Sequence, residues 1–281
     1  WENEAMKLQE LMNKIRLPKE AQETAVSFLS DEEIYNEKKE LFYRDTKAFL
    51  KEWKESENHL QWLLSFYLKL ALEVYEEYKR QGIAEKIFVD TFYDITIWCE
   101  ECKRKYGVYG INEAGWIAFS IKMRLFRLGR IQFEPMTLQE DMTGKSEKLE
   151  AGTKVLNVHI PAGEKLDITE CRKSFRQAEE FFGESYEAYV CDSWLLAPAL
   201  KEILPETSNI IQFQNLFEIV NIHHRFPQAE QRIFAEVRED KENYPEVTVL
   251  QKRAKEYILS GKDIGIGVGF FRRKSRMEMA E

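Results

Sequence analysis

A histidine and two carboxylates have the types that proton transfer needs. His159 closes the run Lys154–Ile160, and an imidazole titrates close enough to neutrality to accept a proton as it stands. Glu134 and Asp192 serve as bases only where burial raises them. His159 and Glu134 also have a purely structural reading: backbone hydrogen bonds satisfy a strand-end histidine, and Arg130 is a natural partner for Glu134. Cys99-Glu-Glu-Cys102 has the spacing of a metal or redox pair. It lacks a second pair and lies inside a helical pattern, so structural thiols are expected. His223 and His224 are adjacent; on a helix they diverge by about 100° and share no metal, so a surface or turn role is expected. The glycines at 265, 267 and 269 precede no helix, so they are no dinucleotide fingerprint. They bare one face of a strand, against which a neighbouring helix is expected to pack.

Residues 154–209 must position these groups. Lys154–Ile160 alternates, with Leu156, Val158 and Ile160 on one face and Val155, Asn157 and His159 on the other. After the loop 161–166, Asp167 and Glu170 have the spacing of a reciprocal helix cap. Ile168, Cys171, Phe175, Ala178 and Phe182 form one apolar stripe, and Gly183 stops the helix. A second strand is predicted near Glu187–Cys191, and a short helix from Pro198. Strand, helix and strand make a right-handed βαβ unit with parallel strands. Ligands bind at the carboxyl ends of such strands, where these two are expected to diverge into a cleft.

Residues 1–127 read as helix after helix. The stripes are Leu8, Leu11, Met12 and Ile15; one long helix from Asp31 with Ile34, Tyr35, Leu41, Phe42, Phe49 and Trp53; Leu60–Tyr78, closed by Gly82; Ile83–Lys105; and Glu113–Arg127. Their aromatics are expected in a core. From Leu128 the pattern changes. A strand at 130–135, a polar hairpin connection at 137–152 and the βαβ unit are followed by 208–221, whose pattern suits helix or strand with helix favoured, and by 232–237 as strand. A helix opened by a Thr248–Gln251 capping box and a last strand at 264–270 complete it. The short join at Leu128-Gly129 leaves no flexible linker.

The 281 residues are 44% hydrophobic, enough for one or two domains, and the net charge of −8 argues against a nucleic-acid partner. The clearest basic run, Arg272-Arg273-Lys274, reads as a short tail. No apolar run approaches the roughly 20 residues of a membrane span. Four cysteines make no disulfide framework, so a cytoplasmic location is expected. No secretory leader is read, and the chain opens on Trp1 without a methionine, which suits a missing N-terminus.

Several stretches resemble one family: Leu128-Gly-Arg-Ile-Gln-Phe-Glu134, His159-Ile-Pro161, Cys191-Asp-Ser-Trp-Leu-Leu196, Leu204-Pro205 through Ser208-Asn-Ile-Ile-Gln-Phe213, and Thr248-Val-Leu-Gln-Lys-Arg-Ala254 with Ser260-Gly261. They are similar to bacterial acyltransferase-like proteins that join an N-terminal helical domain to a C-terminal GNAT-like domain. The resemblance implies an α+β / α/β architecture: an all-α domain at 1–127, which shapes the acceptor site, and a mixed-sheet domain with a central βαβ unit at 128–281.

It also implies an acyl-CoA-dependent N-acyltransferase, with acetyl-CoA or another acyl-CoA as co-substrate and no metal. The acceptor would be a small-molecule or peptide amine; no nucleic acid or membrane is involved. CoA contacts fall on Ile160, Ala162, Gly163, Lys165 and Arg172. Among catalytic residues, His159, Glu134 or Asp192 is the base. Ala197–Leu204 lacks the tyrosine that usually acts as acid, which leaves Ser193, Cys191 or water. The chain departs from the pattern in two places. Its loop Pro161-Ala-Gly-Glu-Lys-Leu-Asp167 has one glycine where the superfamily has Gln/Arg-x-x-Gly-x-Gly/Ala, and Glu164, Asp167 and Glu170 are offset only by Lys165, Arg172 and Lys173. Asp192 stands where the family more often has His. The alternative is a non-catalytic GNAT-like protein that binds a peptide or small metabolite.

Overall fold

Helix-forming stripes of apolar residues run through the first part of the chain, and alternating strands dominate the remainder. In the computed structural model, which describes residues 2–273, the chain divides into two units. One holds the residues up to Leu128 with Pro161–Gly163; the other holds Gly129–Ile160 and the residues from Glu164 on.

The first unit contains α1 (Glu2–Lys14), α2 (Lys19–Ser27), α3 (Glu32–Arg44), α4 (Thr46–Lys54), α5 (His59–Arg80), α6 (Glu85–Tyr106), α7 (Ala114–Ile121) and the short strand β1 (Phe126–Leu128). Leu8, Leu11, Met12 and Ile15 are all buried, as their spacing requires. The long helix expected from Asp31 is two. Asp45, at φ −148°, leaves the helical region, and its carboxylate accepts from Ala48 N at 2.9 Å to cap α4. Ile34, expected inside, is 44% exposed, while Tyr35 and Phe42 turn inward. The aromatics form a core as expected: Trp62 stacks on Phe66 with centroids 4.9 Å apart, and Phe42 and Phe49 pack edge-on. The helix expected to reach Arg127 ends at Ile121; Met123, at φ 55°, turns the chain towards β1.

The second unit contains β2 (Ile131–Thr137), β3 (Met142–Thr143), β4 (Lys148–Leu149), β5 (Lys154–His159), α8 (Ile168–Phe182), β6 (Ala188–Ser193), α9 (Leu200–Ile203), α10 (Asn209–Gln214), β7 (Glu218–His223), α11 (Gln228–Phe234), α12 (Val249–Leu259) and β8 (Ile266–Arg272). Strands β2, β5, β6, β8 and β7 lie side by side in that order. β5 and β6 are parallel, and the other pairs are antiparallel. Two expectations fail. Residues 232–234 are the end of α11 and 235–237 lie beyond it in irregular chain, and 208–221 is split between α10 and β7.

One face of the sheet packs on α8 through rings. Tyr189 of β6 lies between Phe175 of α8 and Phe271 of β8, at centroid distances of 4.7 and 5.0 Å. On the other face, Leu138, Val155, Ala188, Val190 and Phe270 are covered at one end by Leu149 and Met142 of the β3–β4 hairpin. Asp167 caps α8, its carboxylate accepting from Glu170 N at 3.0 Å. The reciprocal bond expected of Glu170 is replaced by an ion pair with Lys173. At α12 both halves of the Thr248–Gln251 box are present. Gly267 faces the backbone carbonyl of Leu196, in the 3-10 turn after β6, so closely that a Cβ there would collide. The bare face expected of the last strand thus receives a helical turn. The basic run is no free tail: Arg272 pairs with Glu147 and Glu187, and Arg273 with Glu179. Lys274 lies outside the described residues.

Candidate active site

The register between β2 and β5 brings the first group together. Glu134 is the cross-strand partner of Asn157, and Gln132 of His159, so all four share the face opposite α8. His159 Nε2 lies 2.8 Å from Glu134 Oε2, and Asn157 Nδ2 donates to the same oxygen at 3.1 Å. The side chains of His159 and Glu134 are 28% and 17% exposed. A carboxylate only accepts, so the ring nitrogen facing it carries the hydrogen. Such a contact orients the imidazole. Asn157 is a member of this group that the sequence reading misses, although an asparagine facing the same way as His159 along a strand is a visible signal.

Asp192 lies on the same sheet face, two residues beyond Val190 on β6. Its register partner is Val268, which also pairs with Asn221 of β7. Asp192 counts as exposed by its whole surface, yet enough protein surrounds its carboxyl that desolvation raises it, against the lowering effect of His223. His223 ends β7 and shares this face through its pairing with Ile266. His224 turns away to Asp263 at 3.3 Å.

Between these two groups the sheet opens. β5 and β6 pair only from Val155/Ala188 to Asn157/Val190. Beyond that, β5 stays on β2 as far as His159, and β6 stays on β8 as far as Ser193. The parallel neighbours therefore part at their carboxyl ends, as the βαβ pattern predicts, and present main-chain edges that lack a mutual ladder.

The remaining residues are dispersed. Ser193 projects to the α8 side, where its hydroxyl accepts from Leu195 N at 3.2 Å. Cys191 is buried, and burial pushes its thiol up. Trp194 packs on the cluster around α9–α12, a structural role. Ile160 is half-buried just past β5; Lys165 and Arg172 are exposed. Ala162 and Gly163 group with the helical unit, Gly163 at φ 98°. Arg130 is buried and holds the loop before α8, donating to the carbonyls of Glu164 at 2.7 Å and Lys165 at 2.9 Å. Cys99 and Cys102 lie buried within α6, where desolvation raises their thiols to about 12 and about 11. Among the described residues no cluster has the makings of a metal site, and no helix is long and apolar enough to cross a membrane.

Comparison with solved structures finds the same architecture at low sequence identity. An acyltransferase in complex with decanoyl-CoA and teicoplanin is 21% identical with a TM-score of 0.74, over 94% of this chain and 87% of that one. An acyltransferase mutant in complex with octanoyl-CoA is 20% identical with a TM-score of 0.76, over 96% and 88%. An acyltransferase with decanoyl-CoA alone is 20% identical, TM-score 0.76, over 95% and 87%. No curated protein sequence matches the chain significantly. The family model of the N-acyltransferase N-terminal domain matches residues 6–123, and that of the GNAT-like C-terminal domain matches residues 125–271, more than half of the chain. By that match, and with the split sheet to accompany it, the chain belongs to the family of the GNAT-like C-terminal domain.

Proposed function

We propose that the protein transfers an acyl group from acyl-CoA to an amine, with residues 128–281 as the acyltransferase domain and 1–127 as its helical companion. The observation that carries this reading is the parting of β5 and β6 beside the Glu134–His159 contact. Two main-chain edges without a mutual ladder suit an extended chain with amides of its own, as the pantetheine arm of CoA has. Solved relatives of this fold hold octanoyl- or decanoyl-CoA, and one also holds teicoplanin. These support an acyl-CoA donor and an acceptor of small-molecule or peptide kind; acetyl-CoA is one donor to test among longer ones.

The chemistry follows from the proton inventory. The amine nitrogen attacks the thioester carbon, the C–S bond breaks, and the nitrogen gives up a proton while the thiolate gains one. His159 accepts the amine proton, and Glu134, itself held by Asn157, stabilises the imidazolium. Backbone N–H groups at the end of β5, including that of Ile160, polarise the thioester carbonyl. Asp192, across the opening on the same face, returns a proton to sulfur. Ser193 is the other candidate for that step. Lys165 and Arg172 supply positive charge for the CoA phosphates, Arg172 from α8 and Lys165 from the loop that also holds Ala162 and Gly163. A cytoplasmic location suits a donor drawn from the acyl-CoA pool.

Thermal shift with acetyl-, octanoyl- and decanoyl-CoA tests the donor. Saturation at about 100 times Kd stabilises a protein by about 2.7 kcal/mol. A rise in Tm, followed by release of free CoA thiol when an amine is added, is the expected result. A Tm unmoved by every millimolar acyl-CoA would overturn the reading and favour a binder of peptides or metabolites.

A further inference from the structure

Within β2 and β5, the face that carries Glu134, Asn157 and His159 holds one further polar side chain, and acyl transfer assigns it no task. Gln132 is His159's register partner on β2 and is 2% exposed. Its Nε2 is buried and makes no hydrogen bond. Buried amides are nearly always satisfied, and an unused donor costs stability unless a partner arrives. Gln214, equally buried, uses its donor: its Nε2 donates to the carbonyls of Leu195 and Ala197, and its Oε1 is the atom that takes no hydrogen bond. Gln132 instead keeps its donor unused beside the residue that takes the substrate's proton.

We propose that Gln132 recognises the acceptor, donating a hydrogen bond to an oxygen that lies two or three bonds from the nucleophilic nitrogen. The inference rests on the acyl-transfer reading of this site. Facing residues of an antiparallel pair have Cβ atoms about 4.5–5.5 Å apart. An amine held by His159 therefore brings its near neighbours, and little else, within reach of the Gln132 amide. The last torsion of a glutamine is broad, so the buried amide can turn to meet an arriving oxygen. The chemistry selected is a vicinal amino alcohol or an α-amino carbonyl compound over a plain alkylamine.

The test compares Gln132→Met with wild type in two measurements, and Gln132→Leu repeats both should the first variant misfold. The first is Tm without ligand. Removal of an unused buried donor raises it, by about 2–4 °C if the gain is near 1 kcal/mol. A fall in Tm for both variants would overturn the proposal, because the amide would then be satisfied in the resting protein. The second is release of CoA thiol from octanoyl-CoA with trans-2-aminocyclohexanol or cyclohexylamine. Wild type is expected to favour the amino alcohol by about tenfold in kcat/KM, the worth of one hydrogen bond. In Gln132→Met the amino alcohol slows towards cyclohexylamine. Equal use of both amines by wild type, or a preference that survives in the variant, overturns the proposal. If acyl-CoA raises Tm but neither amine is acylated, the acceptor class is wrong and the donor reading stands. If acyl-CoA neither binds nor reacts, the acyl-transfer reading itself fails.

Discussion

His159 and Glu134 are each legible in the sequence as candidates, but their contact is not, because it depends on the β2–β5 register. Glu134 pairs with Asn157, which sets His159 diagonally beside the carboxylate. The contact separates two costs. General acid–base work is worth about 10²–10⁴ in rate, whereas loss of a part-exposed side chain costs about 1 kcal/mol of stability. His159→Ala is therefore expected to lower acyl transfer by that factor and to move Tm by only a few degrees, in turnover and melting assays on the same preparation; a collapsed Tm would make it a core histidine. Asp192 yields a prediction of opposite sign. Burial raises its carboxyl, so the charged form is less welcome in the folded chain than in the unfolded one. That penalty operates above the folded value and disappears below the unfolded value of about 3.9. Asp192→Asn is expected to raise Tm at pH 7, with the gain vanishing as the pH falls below 4, while acyl transfer drops. A Tm gain that persisted at low pH would show that charge is not its cause.

At the scale of elements, clean periods are legible and mixed ones are not. Lys154–His159 alternates and α8 repeats by threes and fours, so the βαβ unit is plain. Residues 208–221 read as one helix because Ile211, Phe213, Leu216, Phe217 and Val220 suit both periods. The bulge between Ile219 and Asn221 further disturbs the alternation of β7. Around Arg232, Ile233 and Phe234 suggest a strand, but they are the inner face of a seven-residue helix that follows Pro227 and ends where Ala235 takes φ 62°. The β3–β4 hairpin is tied down by a contact from far along the chain. Glu218 accepts from Ser146 N at 3.1 Å and from Lys145 N, and these bonds hold its carboxyl below the usual range, Ser146 most strongly. A lowered carboxylate stabilises above its unfolded value and ceases to do so as the pH falls through its folded one. Glu218→Gln is thus expected to reduce the hydrogen-exchange protection of the Lys145 and Ser146 amides at pH 7. Wild type should approach the variant below about pH 4. Equal protection at neutral pH would show that the turn stands unaided.

Across the whole molecule, the sheet order departs from the chain order at one place. β8, the last described strand, lies between β6 and β7. It supplies the far-side pairing of Cys191, Asp192 and Ser193, the strand end that borders the opening. A chain stopped after Gly261 is expected to leave β6 and β7 with exposed edges and to aggregate. It should lack the unfolding transition of residues 128–273, and a peptide of residues 262–273 added in trans should restore it. A cooperative, soluble truncated chain would refute this. Consider the same insertion during synthesis at about 5–20 residues per second. The helical segments emerge early and can assemble from local contacts, whereas β6, with β5 on one side, waits some eighty residues for β8 to cover the other. The opening that awaits a substrate in the finished protein is bordered by the strand whose second edge stays open longest in the nascent one.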